Sequence, residues 1–548
     1  MNGLWKILSV VLLVLIQTSL HAQTNYSVSG VIKDARSGES LIGVSVRFTG
    51  KAEIGTGTNA YGFYSARLAP GDYTMTVSYV GYKTLTRMIR LSANQRFDLA
   101  LEQNNVLSEV VISGERRNEN VSDAQMGLAK INLAEVKNVP VLFGERDVLK
   151  TIQLLPGIKP AGEGNSGFYV RGGSSDHNLI LLDEATVYNA SHLLGFFSTF
   201  NSDAIKDVAV YKGGMPAEYG GRLASVLDIK MNDGNRKDHT AEGGIGLISS
   251  RLKVEGPLVK DKSSFMVSGR RTYADAFLAL SSDSTINDNT IYFYDLNAKV
   301  NFQINDKNVL YLSGYFGRDE LGLARTFAFD WGNSTATLRW SSMVNSRLFS
   351  GTSLIYSNYD YSIENFLEEN GFRVRSGIRN FNLKQDFQYT AGSRHDLKFG
   401  INAIHHTIMP GHIDSDESSS VNNIAIENRK GLEIAAYVSD EWELNSRLRL
   451  VYGLRFSDFL SLGPGLFRSY DAEGNTVSSR EYGDFEVVKN YLTPEPRISV
   501  SYTVDPTSSV KASYTRNSQN LHLMSNSTAT SPTDLYIMNS NTVKPEVA

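Results

Sequence analysis

Cysteine is missing altogether from this chain of 548 residues. That excludes disulfides, thiolate metal sites, cysteine nucleophiles and a lipid-anchored cysteine near the N-terminus. No run of about 18 consecutive apolar residues occurs, so nothing in the sequence spans a bilayer as a helix. Excess charge is lacking too: the formal net charge is −4, which leaves no electrostatic footprint for nucleic acid. Histidine is absent between His21 and His177, which argues against a zinc peptidase in that region. Proline is scarce (13) beside 46 glycines and 27 tyrosines, a balance that suits turn-rich antiparallel sheet better than helical bundles.

The N-terminus carries Lys6, a largely apolar run from Ile7 to Ile16, and polar or small residues up to Ala22. This predicts a secretory signal peptide over 1–22. An exported chain without a membrane helix is either soluble beyond the inner membrane or a β-barrel. Residues 24–102 follow as segments of alternating apolar and polar residues separated by turn signals, the pattern of an antiparallel sandwich. Val44, Val46 and Phe48 fall on one face, and Ser45, Arg47 and Thr49 on the other. The run from Gly30 to Asp34, the turn from Thr58 to Tyr64 and the segment PGDYTMTVSYVGY resemble the carboxypeptidase regulatory-like domain. That resemblance implies a transthyretin-like β-sandwich; neither zinc ligands nor a catalytic pair accompany it.

The rest of the chain is organised around residues 167–230. Phe168–Val170, Leu179–Leu182, Val208–Tyr211 and Val226–Ile229 are β-rich runs bounded by turn residues and by paired glycines at 172–173, 213–214 and 220–221. Ahead of them, Gly144-Glu145-Arg146-Asp147 opens a helix in which Val148, Leu149, Ile152 and Leu155 recur at helical spacing before Pro156 stops it. Gly162 to Gly167 formally satisfies G-x-G-x-x-G, but no strand precedes it and no helix follows, so a loop is read there instead of a phosphate cradle. YVRGG, LLDEATVYN and MPAEYGGRLASVLDI, in this order and at these separations, closely resemble the plug domain of TonB-dependent outer-membrane transporters. The plug, a small α+β unit, is expected over 121–235. Arg171, Gly172, Gly173, Asp183, Glu218 and Arg222 are the motif residues; Arg171, Glu218 and Arg222 are expected to form ion pairs that seat the plug against the barrel wall rather than to act as catalysts.

Between sandwich and plug, residues 104–120 form a polar linker around Glu109, Val110, Val111, Ile112 and Ser113. An extended β-branched segment of this kind can offer its backbone to the strand edge of a partner, or serve as an edge strand of one of its neighbours. By place and composition it resembles the family's TonB box, which implies a TonB-type energy-transducing complex as partner.

From residue 238 to 548 the pattern becomes long strands of period two. In Arg447 to Ser457, Leu448, Leu450, Tyr452, Leu454 and Phe456 face one way and Arg447, Arg449, Gly453 and Arg455 the other. Alternation alone does not say which face is outside; export and the plug resemblance decide for a transmembrane antiparallel β-barrel in contact with outer-membrane lipids. Short links near 256–262, 305–307, 345–346, 391–394, 445–446 and 505–508 alternate with long ones near 274–290, 318–334, 361–375, 408–430 and 459–492. With a tight outer turn near Leu247 to Ser249, this predicts about 13 strands, the last near Ser509 to Arg516. Plugged barrels of this class have about 22, so the barrel is expected to be partial in this chain. The whole is dominated by β-structure.

No enzyme is read here: a nucleophile elbow of the G-x-S-x-G form in a strand-to-helix context is missing. His405, His406, His412, Asp414, Asp416 and Glu417 raise a metal site, but a solvated acidic loop is the plainer reading, and no metal or cofactor is assigned. Phe327, Phe329 and Trp331 are read as loop aromatics that stack on a solute or as an interface girdle. The function expected is active transport of a scarce solute, a metal chelate or oligomeric nutrient, across the outer membrane of a Gram-negative bacterium, with the sandwich in the periplasm. A surface lipoprotein lid is left open as a further partner. The alternative is a surface receptor that signals or adheres through the sandwich; transport surviving removal of residues 24–102 while gene induction fails would favour it.

Overall fold

The computed structural model describes residues 25–51, 53–104, 121, 124–131, 146–162, 165–323, 326–367, 370–415, 419–524 and 531–548. The signal peptide and the segment Glu109 to Ser113 lie outside the described residues.

Alternation in the first unit builds two small sheets. One joins Phe63–Leu68, Tyr26–Asp34, Gln95–Arg96 and Leu99–Leu101; the other runs Ile54–Gly57, Ser45–Gly50, Gly71–Ser78, Leu85–Leu91. Val44, Val46, Phe48, Met75 and Val77 are fully buried between them, while Arg47 points out, as period two requires. The strands Ile54–Gly57 and Leu85–Leu91 were not anticipated. The second is largely exposed, with only Ile89 and Leu91 buried, so its apolar signal is weak.

The second unit is a five-stranded sheet in the order Ala185–Thr186, Asn178–Leu182, Ser225–Met231, Ile205–Tyr211, Leu128–Ile131. Asn178–Leu182 and Ser225–Met231 are parallel, so the chain must cross between them, and the crossover carries Ile205–Tyr211, which joins the same sheet antiparallel to Ser225–Met231. The helix Val148–Ile152 starts at Asp147, whose carboxylate accepts from Leu149 N (2.8 Å) and Lys150 N (3.1 Å). Val148, Leu149 and Ile152 close one hydrophobic core with Val208, Val210, Leu227 and Ile229.

The third unit is a long antiparallel sheet. Among the described residues, thirteen strands follow one another in chain order from Thr240–Ile245 to Ser508–Thr515, with Ile424–Ala425 attached at one side. The turn between Thr240–Ile245 and Ser249–Val259 falls where the tight outer turn was expected. Leu296, Val300, Phe302, Leu338, Leu354, Phe381 and Phe456 are exposed, whereas Asp295, Asn297, Lys299, Arg339, Ser353, Arg455 and Arg497 are buried. Apolar side chains thus face outward and polar ones inward, the inverse of a soluble barrel.

Two expected loops are largely strand among the described residues. Gly322 pairs with Ala328 and Leu323 with Phe327, so the described residues of 318–334 are almost all strand. The pair Asn365 with Phe372 likewise shortens 361–375 to a link of residues 366–371. Phe329 and Trp331 are consequently neither loop residues nor a girdle. They are 6 % and 2 % exposed on an inward face, packed with Tyr359, Tyr361, Ile408, Leu521 and Met538, the last two from a C-terminal segment folded into the lumen.

Candidate functional site

The plug sheet lies inside the barrel, and the polar inner wall is what holds it. LLDEATVYN turns sharply after Leu182: Asp183 and Glu184 have φ of 45° and 76°, a left-handed conformation that costs a non-glycine residue energy and has to be held by its surroundings. The turn directs both carboxylates at the wall. Asp183 Oδ2 lies 2.9 Å from Lys299 Nζ and its Oδ1 accepts from Met231 N (2.9 Å). Glu184 pairs with Arg339, accepts from Ser353 Oγ at 2.7 Å, and lies 3.8 Å from Lys384 Nζ. Burial alone would push the Glu184 carboxyl up; Arg339 and then Lys384 outweigh it and hold the group below the ordinary carboxylate range. Asp233, in the segment that leaves the plug, is likewise held low against burial by Lys206 (2.6 Å) and Lys299 (2.9 Å).

His192 forms a second anchor. Its ring stacks on Phe293 of the wall at 4.1 Å and 5°, Nδ1 meets Asp319 Oδ2 at 2.6 Å, and Nε2 lies 3.6 Å from Asp295 Oδ2. Leu193 N donates to the other Asp319 oxygen at 2.7 Å. Burial disfavours a charged imidazole here, but Asp319 and Asp295 more than offset it and raise the pKa. Arg270 completes the cluster, 2.6 Å from Asp295 and 2.8 Å from the carbonyl of Ser198.

The MPAEYGG loop is gripped from the far wall. Arg497 Nη1 donates to the carbonyls of Met215 (3.2 Å) and Tyr219 (2.7 Å), and Arg455 Nη1 to that of Ala217 (3.3 Å). A Cβ at Gly220 would sit 2.4 Å from Arg455 Nε, so only glycine lets the guanidinium lie against this backbone. Glu218 meets Lys398 of the wall at 3.1 Å.

Of the motif residues singled out from sequence, Asp183 and Glu218 thus reach barrel lysines. Gly172 adopts φ 84° and Gly173 packs where a Cβ would lie 2.8 Å from Ala224 Cβ. Arg171 and Arg222 make no ion pair among the described residues. Arg171 is exposed at φ 51°. Arg222 is 7 % exposed, donates to the Gly221 carbonyl at 2.8 Å, and leaves Nε without an acceptor. It faces a cavity at the plug apex shared with Asp176, Tyr188, Tyr359, Asp534 and Tyr536. Sequence reasoning missed Glu184, His192, Lys299 and Arg339. The signal was present: a charge at an inward position of a membrane strand is costly unless paired, so Lys299 and Arg339 demand plug partners.

The residues raised for a metal do not converge. His405 and His406 are neighbours on one strand and point to opposite sides, with His406 Nδ1 at 2.8 Å from Asn380; Asp414 pairs with Arg375. Asp416 and Glu417 lie outside the described residues, and among the described residues no group of three His, Asp or Glu side chains is placed to hold a metal.

A lumen filled by a small sheet, inside a barrel that is polar within and apolar without, defines a plugged outer-membrane receptor. Sequence comparison agrees. A "TonB dependent receptor-like, beta-barrel" profile matches residues 265–548, more than half of the chain; a "TonB-dependent Receptor Plug Domain" profile matches 142–226, and a "CarboxypepD_reg-like domain" profile matches 28–112. The chain belongs to the TonB-dependent receptor family, a family of outer-membrane receptors and transporters. It is 29 % identical over 246 residues to TonB-dependent receptor P26 of Formosa agariphila, covering 43 % of this chain and 22 % of that protein. It is 30 % identical over 146 residues to the vitamin B12 transporter BtuB of Vibrio vulnificus, covering 25 % of this chain and 23 % of that protein. The chain therefore spans under a quarter of the length of these curated relatives in the matched regions. In fold it resembles the copper transporter OprC (TM-score 0.53, 14 % identity, 72 % of this chain and 64 % of that one). It also resembles the hemophore receptor HasR of Serratia marcescens, solved with its hemophore HasA and heme (TM-score 0.52, 13 % identity, 78 % and 68 %).

Proposed function

We propose that the protein takes a scarce solute, a metal chelate or an oligomeric nutrient, across the outer membrane by moving its plug under the pull of a TonB-type energy-transducing complex. The observation that carries this reading is the character of the seat. Plug and wall meet through carboxylates, guanidinium groups and backbone carbonyls. A polar contact can be exchanged for water as the lumen wets, whereas withdrawing a packed apolar face would expose a core. The plug is therefore held firmly yet built to be displaced. Its hydrophobic core, around Leu149, Val210 and Leu227, is built chiefly from its own elements and meets the wall at Met266 and Tyr315, a small apolar contact beside the polar ones.

The apex cavity beside Arg222 and Tyr188 is where the solute meets the plug in this reading. Binding there shifts the plug only if the seated and displaced states bind the solute differently. Glu109 to Ser113 is the segment on which the partner pulls, by adding its backbone to a strand edge. Deleting Glu109–Ser113 should abolish uptake of the labelled solute by cells while surface binding persists; loss of both, or of neither, contradicts the assignment. A signalling receptor is the second reading. It is favoured by one observation: Glu39 of the sandwich reaches the plug at Lys206 Nζ (3.2 Å), so plug and sandwich are mechanically joined.

A further inference from the structure

A cleft between sandwich and barrel, away from the plug apex, holds cations that the seat of the plug does not use. Arg236, in the segment joining plug to barrel, is 2 % exposed. Its Nη1 reaches Gln303 Oε1 only at 3.4 Å, and its Nε and Nη2 meet no acceptor among the described residues. Lys33 of the sandwich approaches the same Gln303 oxygen at 3.5 Å. One neutral amide oxygen thus serves two cations, weakly. Ser341, 4 % exposed on the barrel wall, also leaves its hydroxyl unpartnered at this cleft. Arg96 and Lys307 complete the positive lining. Two carboxylates oppose them: Asp98, which already accepts from Arg96 (2.8 Å) and Val31 N (2.9 Å), and Asp306, whose carbonyl accepts from Arg96 (2.8 Å). Four cations against two anions leave the cleft positive.

Buried guanidinium nitrogens without acceptors are rare, because each forfeits its hydration and gains nothing in return. The ammonium of Lys33 shows the same deficit: burial, and then the Arg236 charge, hold its pKa below the ordinary lysine value. The cleft encloses about 60 Å³, several times the ~10–15 Å³ that one water needs.

We propose that this cleft is a binding site for a phosphate group, which Arg236 engages through Nε and Nη2 with Lys33 and Ser341 completing the shell. Two parallel N–H donors of a guanidinium match two oxygens of a tetrahedral oxyanion. The occupant bridges the sandwich, the segment joining plug to barrel, and the barrel, so it fastens the sandwich in its docked position. The phosphate comes either from free phosphate in the periplasm or from an anionic phospholipid of the inner leaflet, since Phe302 and Ile304 beside Gln303 face lipid.

The test titrates the full chain, in detergent and phosphate-free buffer, with inorganic phosphate by calorimetry, using chloride at matched ionic strength as control. Native mass spectrometry with phosphatidylglycerol and phosphatidylcholine forms the lipid arm. Saturable binding of phosphate that Arg236→Gln weakens about tenfold or more establishes a free-anion site. Failure of inorganic phosphate, with phosphatidylglycerol retained over phosphatidylcholine in an Arg236-dependent way, establishes a lipid headgroup site. Lys33→Gln, at a partly exposed sandwich position, repeats the comparison should Arg236→Gln fail to fold. Binding of neither probe, or affinities that the substitutions leave unchanged, overturns the proposal.

Discussion

Glu184 stands at the tightest point of the seat, and its replacement separates an electrostatic anchor from a packing one. In Glu184→Gln the shape persists but Arg339 loses its paired carboxylate in a buried wall, whereas Lys384 keeps Asp386 at 3.0 Å. Leaving a buried charge without its partner costs about 3–5 kcal/mol. Hydrogen exchange should therefore show the plug segment around residues 178–192 losing protection while the barrel strands keep theirs; unchanged protection would remove Glu184 from the seat. His192 gives the seat a pH dependence of definite sign. Its folded pKa is raised, so its contribution is complete below the unfolded value of about 6.5 and is lost as pH climbs through the raised value. Exchange of the peptide containing Leu193, corrected for intrinsic rates, should accelerate on going from acid to alkaline buffer, and His192→Gln should abolish that dependence. A seat that loosens toward acid instead would contradict the assignment. At this scale the sequence was only partly legible. Asp183 was visible inside a motif, but His192 lies in a two-residue strand, Ser191–His192, too short to show periodicity, and its meaning comes from Asp319 and Asp295, more than a hundred residues away in the chain.

Elements were easier to read, because their signals are local. The helix after Asp147 shows its cap and its apolar spacing together, and the strand Leu448–Leu462 shows its alternation over many residues. The extended tips near 318–334 were hidden because the outer part of Phe327–Met343 turns Phe329 and Trp331 inward, where charged or small polar residues were expected. These aromatics are covered by Leu521 and Met538, an apolar contact that only the folded lumen creates. The sandwich is another element whose placement was not legible. Its turn inserts Tyr61 between the Arg339 guanidinium (4.2 Å) and the rings of Tyr311 (5.5 Å) and Phe349 (5.7 Å, 17°). Ser65 Oγ and Arg67 Nη1 meanwhile donate to the turn carbonyls of Ser346 (2.8 Å) and Ala391 (2.9 Å). Aromatic and cation–π contacts of this kind contribute about 0.5–2 kcal/mol each. Tyr61→Ala should therefore make residues 25–104 markedly more sensitive to limited proteolysis in the intact chain without altering the barrel. Equal digestion of both proteins would mean that the sandwich is held elsewhere.

At the level of the whole molecule, the sandwich packs against the barrel turns and the plug sits within the lumen, with residues 104–120 between them in sequence. Glu39 links the sandwich to Lys206 and to the backbone of Asp233, so a force entering between sandwich and plug acts on both. The absence of cysteine makes displacement of the plug measurable without knowing the solute. Ser198 is fully buried against the wall, its carbonyl bound by Arg270, and Ser198→Cys supplies a single thiol there. In energised cells a membrane-impermeant maleimide should label this thiol. Labelling should fall to background when Glu109–Ser113 is deleted or when the proton gradient is collapsed. Labelling that proceeds equally under all three conditions, or that never rises above the level of the purified protein, would contradict a plug driven from the periplasm.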